Sequence, residues 1–379
     1  MRTVYLTVAI VLTAMLHLSV AAIVVGVGYL AVLAFRDANF FGAIMLTWLE
    51  LWMLWSLLSV RTQEQGIRKE RSEVPALYAL IDEVAERIRT RAPDAVYLVP
   101  DASVSVEETA GILGLPLRSR RVVIIGLAAL QGLTMDQLRV ILAHELAHFR
   151  QGDTALGQFI RRAVLSLVAT LDAIRSRTWW WFLNPTYWYL RGFAEVHIAV
   201  ISALDRTQRR QQEFRADLLA AQTCGAEVAR SMLVEIAINQ RIFEQITQIA
   251  VDTVQVGPLP NMHAMHREHR ERMPRATREQ LIQQAMDSQP EDDDSHPTLR
   301  ERLQAIEACG PAPAHEPDDR PAASVFPDPE AIEIEQSRLM EDALRYAIYV
   351  ELDPEIMRMV ERGSAEAKPR RIVIGDRPS

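Results

Sequence analysis

Two histidines four residues apart, with a glutamate directly after the first, stand in the stretch VILAHELAHFRQGD at residues 140–153. On a helix, positions i and i+4 share a face one turn apart, so His144 and His148 can both reach one ion. Imidazole nitrogen suits zinc, and a catalytic zinc takes three protein ligands and keeps one position open. Glu145 lies one residue round from His144, beside such an ion rather than on it. There it can take a proton from an attacking water and hand it to a leaving amine. An amphipathic helix can also spell this pattern by composition alone, and it would then lack a third ligand.

A third ligand is available in RRQQEFRADLLAAQTCG (209–225), a second polar-then-apolar helical run. Glu213 and Asp217 share a face of that helix. Glu213 would complete a two-His, one-Glu set, and Asp217 could accept the free N–H of a ligating histidine and fix its tautomer. The competing reading pairs the two acids with Arg209, Arg210 or Arg215 on a solvated helix. A further tract, NMHAMHREH (261–269), puts His263, His266 and His269 three apart. That spacing drifts around a helix, Arg267 and Arg270 repel a cation, and a second metal site is not expected there.

The elements that must hold these groups are legible in outline. DAVYLVPDASVSV (94–106) and SRRVVIIG (119–126) read as strands through their β-branched runs. SEVPALYALIDEVAERIRTRA (72–92) reads as a helix with Pro75 near its start. LTMDQLRVILAHELAHFRQ (133–151) reads as the helix of the histidine pair, with Thr134 as N-cap and Gly152 as stop.

Before them, Val4 to Phe35 carries no charged side chain, RDAN (36–39) interrupts, and Phe40 to Val60 is broken only by Glu50. Each run reaches the ~20 residues that a spanning helix needs. The expectation is a transmembrane hairpin. The basic residues Arg61, Arg68, Lys69 and Arg71 after it place the rest of the chain in the cytoplasm. The tryptophan-rich 179–203 segment, interrupted by Pro185 and Arg191, reads either as lying at the membrane–water interface or as a buried hairpin of the soluble domain. From Gly310 the sequence turns proline- and acid-rich, followed by a helix from about Pro329 to Val350. The net charge of −8 gives no reason to expect nucleic acid as a partner, and two distant cysteines, Cys224 and Cys309, give no disulfide framework.

LGLPLRSRRVVIIGLAALQGLTMDQLRVILAHELAHFRQGD (113–153), EFRADLLAA (213–221) and SHPTLRERL (295–303), in that order and separation, resemble the membrane zinc metallopeptidases of the HtpX and CAAX-prenyl-protease type. The resemblance covers roughly residues 65–308 and implies an α+β fold. With the transmembrane helical hairpin (1–62) and the linker with a helical tail (309–379) read from composition, it places a mainly helical zincin-like metalloprotease domain with a small β-sheet at 63–308. By position it implies one zinc held by His144, His148 and Glu213, with Glu145 as general base and acid and Asp217 behind the ligands. His296 and Arg302 match the family's His-Pro-x-x-x-x-Arg motif: His296 would stabilise the oxyanion or latch the zinc, and Arg302 would anchor that loop. Asp153 recurs in the family too, and equally suits an N-cap for a helix from Thr154.

The expected function is a membrane-anchored zinc endopeptidase acting on protein or peptide substrates, misfolded membrane proteins by family resemblance. Substrate would lie along an edge strand such as Arg120–Gly126. The rival is a membrane-bound scaffold whose zinc site is structural or closed by His296. Substrate identity and oligomeric state are not written in the sequence.

Overall fold

A computed structural model of the chain describes residues 2–58, 66–108, 120–150, 185–288, 297–307 and 316–352, with isolated positions 168, 171, 175, 182 and 309. It divides into two units: residues 1–62, 108–120 and 151–209 in one, and 63–107, 121–150 and 210–379 in the other.

In the first unit, helices α1 (Arg2–Arg36) and α2 (Phe40–Leu58) pair as a hairpin. Ala38 takes a positive φ of 56° at the turn, and the Asn39 side chain caps α2 by accepting from Gly42 N–H at 3.0 Å. Among the described residues no helix is long and apolar enough to cross a membrane. The Glu50 side chain lies outside what is described. Of the tryptophan-rich segment, the described part from Pro185 is helical, with Tyr187, Leu190 and Ala194 buried and Trp188 exposed.

The second unit is built on a four-stranded mixed sheet of order β1-β2-β4-β3, from Ile67–Lys69, Ala95–Val99, Val104–Glu108 and Arg121–Gly126 in chain order. β1 runs antiparallel to β2, and β2 parallel to β4 with Ala95 opposite Val122. One face of the central pair, Val96, Leu98, Val123 and Ile125, joins the main core. The other, Ala95, Tyr97, Val99, Val122 and Ile124, forms a small cluster of its own. The sheet corrects one expectation: Arg121–Gly126 is an inner strand, and the edge beside it is β3. Its unbroken VVII run, buried on both faces, is what an inner strand requires.

Helix α3 (Pro75–Arg87) opens on Pro75 at its first position and buries Leu77, Leu80, Ile81 and Val84 against the sheet. After β4 a 3-10 turn (Leu127–Leu130) leads through Gly132, at φ 69°, into α4 (Met135–Arg150). Glycine is required there: a Cβ would stand 2.0 Å from Arg270 Nε. α5 (Pro185–Cys224) is one continuous 40-residue helix whose residues from Arg210 belong to this unit. Gly225, at φ 111°, separates it from α6 (Ala226–Val254).

Helices α7 (Met262–Glu271), α8 (Arg275–Asp287) and α9 (Leu299–Glu307) follow. Asn239 on α6 ties this side together: its amide donates to Ala129 and Gln131 carbonyls at 3.0 and 2.8 Å, and accepts from Arg270 at 2.9 Å. The acid- and proline-rich stretch then folds back as a strap. Its Ala322, Val325 and Phe326 enter the main core, and α10 (Pro329–Leu352) packs Met340 and Leu344 against Ile242 and Ile246 of α6.

Candidate metal centre

The histidine pair sits on the C-terminal half of α4, a helix that lies within the core: Leu138, Leu142, Ala143 and Leu146 are fully buried on the same helix. Thr134 caps it as the sequence suggests. Gln137 N–H donates to Thr134 Oγ1 at 3.2 Å while Thr134 N–H donates to Gln137 Oε1 at 2.9 Å, a reciprocal cap. Near its other end, the Arg121 guanidinium of β4 stacks 4.7 Å over the Phe149 ring.

α5 brings Glu213 to the same point. Its carboxylate oxygens lie 3.4 Å from His144 Nε2 and 3.7 Å from His148 Nε2, and the two imidazole rings stand at 86° to each other. The potential ligand atoms of all three residues fall within 4.8 Å of one another. Zinc bonds of ~2.0–2.2 Å in tetrahedral array put ligand atoms about 3.3–3.6 Å apart, so the set suits zinc in donor type and, at the Glu213 edges, closely in spacing. Among the described residues it is the only such group.

Behind the ligands a chain of bonds fixes their orientation. Asp217, one turn along α5 from Glu213 and 2 % exposed, has Oδ1 2.9 Å from His144 Nδ1. Asp217 accepts in turn from both arms of Arg302 on α9, Nε to Oδ2 at 2.7 Å and Nη2 to Oδ1 at 2.6 Å. A planar guanidinium meeting a carboxylate this way locks it in plane. Burial alone would raise the Asp217 pKa, but its bonds to Arg302 and His144 outweigh that and lower it. His144 is pressed down by burial, yet the Asp217 and Glu213 carboxylates raise it to about 9. A carboxylate beside Nδ1 favours the tautomer with its proton there, which leaves Nε2 as the atom facing Glu213.

Glu145 behaves differently. Desolvation pushes its carboxyl up to about 7, against the nearby His144 and Arg302 charges and a hydrogen bond with the backbone of Val106. A carboxyl poised near neutrality is what a proton-transferring group needs. Val106 lies on β3. Ser103 O, just before that strand, accepts from Gly126 N–H of β4, and backbone groups alternate sides along a strand. The backbone of Val106 therefore points away from β4.

The expected residues His144, Glu145, His148, Glu213, Asp217 and Arg302 are thus brought together. Asp153 and His296 lie outside the described residues; Pro297, beside His296, is described and buried. The histidines of the NMHAMHREH tract are not part of the site. His263 and His266 are buried on α7, with Nε2 of His266 3.2 Å from the Asn239 carbonyl, while His269 is exposed. No spacing or motif signalled the hydrogen bond of Glu145 with Val106, nor the reach of the strap at residues 316–326 to α4.

A two-histidine, one-glutamate cluster with a second glutamate between the histidines is a donor set that suits a single zinc ion. Residues 72–309 match Peptidase family M48, and the chain belongs to that family. It is also 29 % identical over 164 residues to a Protease HtpX homolog of Acaryochloris marina (strain MBIC 11017), a stretch covering 41 % of this chain and 52 % of that protein. The chain therefore spans about half the length of the curated relative it matches. No solved structure matches significantly.

Proposed function

We propose that this chain is a zinc endopeptidase anchored by its N-terminal hairpin, with the active site on the cytoplasmic side. The observation that carries the reading is the placement of the Glu213 carboxylate at 3.4 and 3.7 Å from the Nε2 atoms of His144 and His148, with Glu145 alongside. His144, His148 and Glu213 hold the metal; Asp217 and Arg302 keep His144 in the ligating tautomer. A zinc ion there supplies Lewis acidity toward the scissile carbonyl and makes water a better nucleophile at neutral pH. Glu145 takes the proton of the attacking water and passes it to the departing amine.

The substrate lies extended along the edge of β3 away from β4, where the outward N–H and C=O of Val104 and the carbonyl of Val106 supply main-chain hydrogen bonds near Glu145. Such recognition reads backbone rather than side chains, which suits unfolded proteins as substrates. Anchoring is supported by the uncharged run from Val4 to Phe35 and by exposed apolar side chains on both helices, among them Val25, Phe35, Phe41 and Leu51.

The test is cleavage of an unfolded membrane protein in detergent with zinc, wild type beside Glu145→Gln. Wild type cleaves; the variant binds zinc stoichiometrically and is slower by at least ~100-fold, the lower end of what a general base contributes. Equal cleavage by both would refute the role of Glu145.

A further inference from the structure

The strap that follows the family-matched region reaches back to the start of the metal helix. The first N–H groups of any helix lack intrahelical acceptors. In α4 the reciprocal Thr134–Gln137 cap meets part of this need, and the strap meets the rest. Met135 N–H donates to Arg320 O at 2.8 Å and Asp136 N–H to Asp318 O at 3.3 Å. The strap donates in return, Asp318 N–H to Asp136 Oδ2 at 2.9 Å and Ala322 N–H to Leu133 O at 2.8 Å. Arg139, one turn into α4, joins the two carboxylates, with Nη1 2.8 Å from Asp136 Oδ1 and 3.3 Å from Asp318 Oδ2. Its Nε lies 3.5 Å from Glu83 on α3. Asp136, at the helix start, is itself buried, and a carboxylate there also complements the helix dipole.

α4 is one 16-residue helix, and His144 lies eight residues from Asp136, about 12 Å along the axis. A packed helix moves as a rod, so its seat at one end sets the position of side chains at the other. We propose that the strap is a positioning device for the reaction. Asp318, with Arg139 and Asp136, holds the axial and rotational seat of α4, and so the spacing of His144 and His148 against Glu213 and Asp217 on α5. Asp318 touches no reacting group; it acts through the helix. The proposal rests on the zinc reading of α4 and adds to it a segment beyond residue 309, where the family match ends.

Full-length Asp318→Ala, and the milder Asp318→Asn, test it by three measurements. These are hydrogen exchange at the amides of residues 135 and 136 in the metal-free protein, the rate of zinc release into excess chelator, and kcat and KM on an unfolded protein. In Asp318→Ala the two amides exchange faster, zinc release quickens by about five- to tenfold, and kcat falls with KM unchanged. That effect sits just below the range for a group bonded directly to a ligand. Asp318→Asn falls between the two. Faster exchange with wild-type zinc release and kcat would make the strap purely structural and overturn the proposal, as would wild-type exchange. Failure of wild type itself to bind zinc would overturn the proposed function instead.

Discussion

At the level of single residues, the site depends on a relay in which Arg302 holds Asp217, Asp217 holds His144, and His144 faces the metal position. Lysine at 302 would keep the charge but lose the two-armed contact with both carboxylate oxygens. Arg302→Lys is expected to weaken zinc binding by about tenfold, measured by competition with a chelator, while the protein stays folded. The ligand set was legible because helical periodicity is local: His144 with His148, and Glu213 with Asp217, are each four apart. The bond from Arg302 to Asp217 joins residues 85 positions apart. No spacing rule predicts it, and only the family motif pointed to Arg302. Glu145 shows the same limit, since its place beside His144 was readable but its contact with Val106 was not.

Among the elements, α7 is the one whose character the sequence disguised. Its histidines raised only the question of a second metal site, yet His263 and His266 are buried where α7 packs on α6 and α10, and among the described residues neither ring nitrogen of His263 has a hydrogen-bond partner. Desolvation lowers both to about 4, with Glu333 opposing it at His263 and the Asn239 carbonyl opposing it at His266, while the Arg267 and Arg270 charges add to the lowering. Unfolded histidine binds a proton near pH 6.5, so between 6.5 and 4 the unfolded chain holds more protons than the folded one. Stability is therefore full above pH 6.5 and declines as pH falls, by on the order of 2 kcal/mol per histidine at pH 5. The urea midpoint should drop between pH 7 and 5, and His263→Met should lose less over that range than wild type. An equal drop in both would mean that His263 is not buried in neutral form. The strands teach a related lesson. The unbroken VVII run of β4 belongs to an inner strand and the alternating SVSVE of β3 to an edge, a difference in pattern that the expectation of an edge at Arg120–Gly126 overlooked.

For the whole molecule, the folded unit extends past the family's boundary. A proline- and acid-rich composition reads as linker, and such a reading averages away Ala322, Val325, Phe326 and Ile332, all members of the main core. Each large apolar side chain contributes about 1.5–3 kcal/mol on burial, so losing Val325, Phe326 and Ile332 removes roughly 5–9 kcal/mol, comparable to the whole stability of a typical domain. A chain ending at residue 309 is expected to lose its cooperative thermal transition, whereas one ending at residue 352 keeps it; calorimetry distinguishes the two. The strap also sets an order in time. Asp136 and Asp318 are 182 positions apart, and at ~5–20 residues per second the ribosome delivers the second roughly 10–35 s after the first. During that interval α4 has been synthesised but its opening N–H groups lack their acceptors, and the core still waits for its last residues. The metal helix is thus finished by residues made long after it, and its seat comes into being only once the strap has emerged.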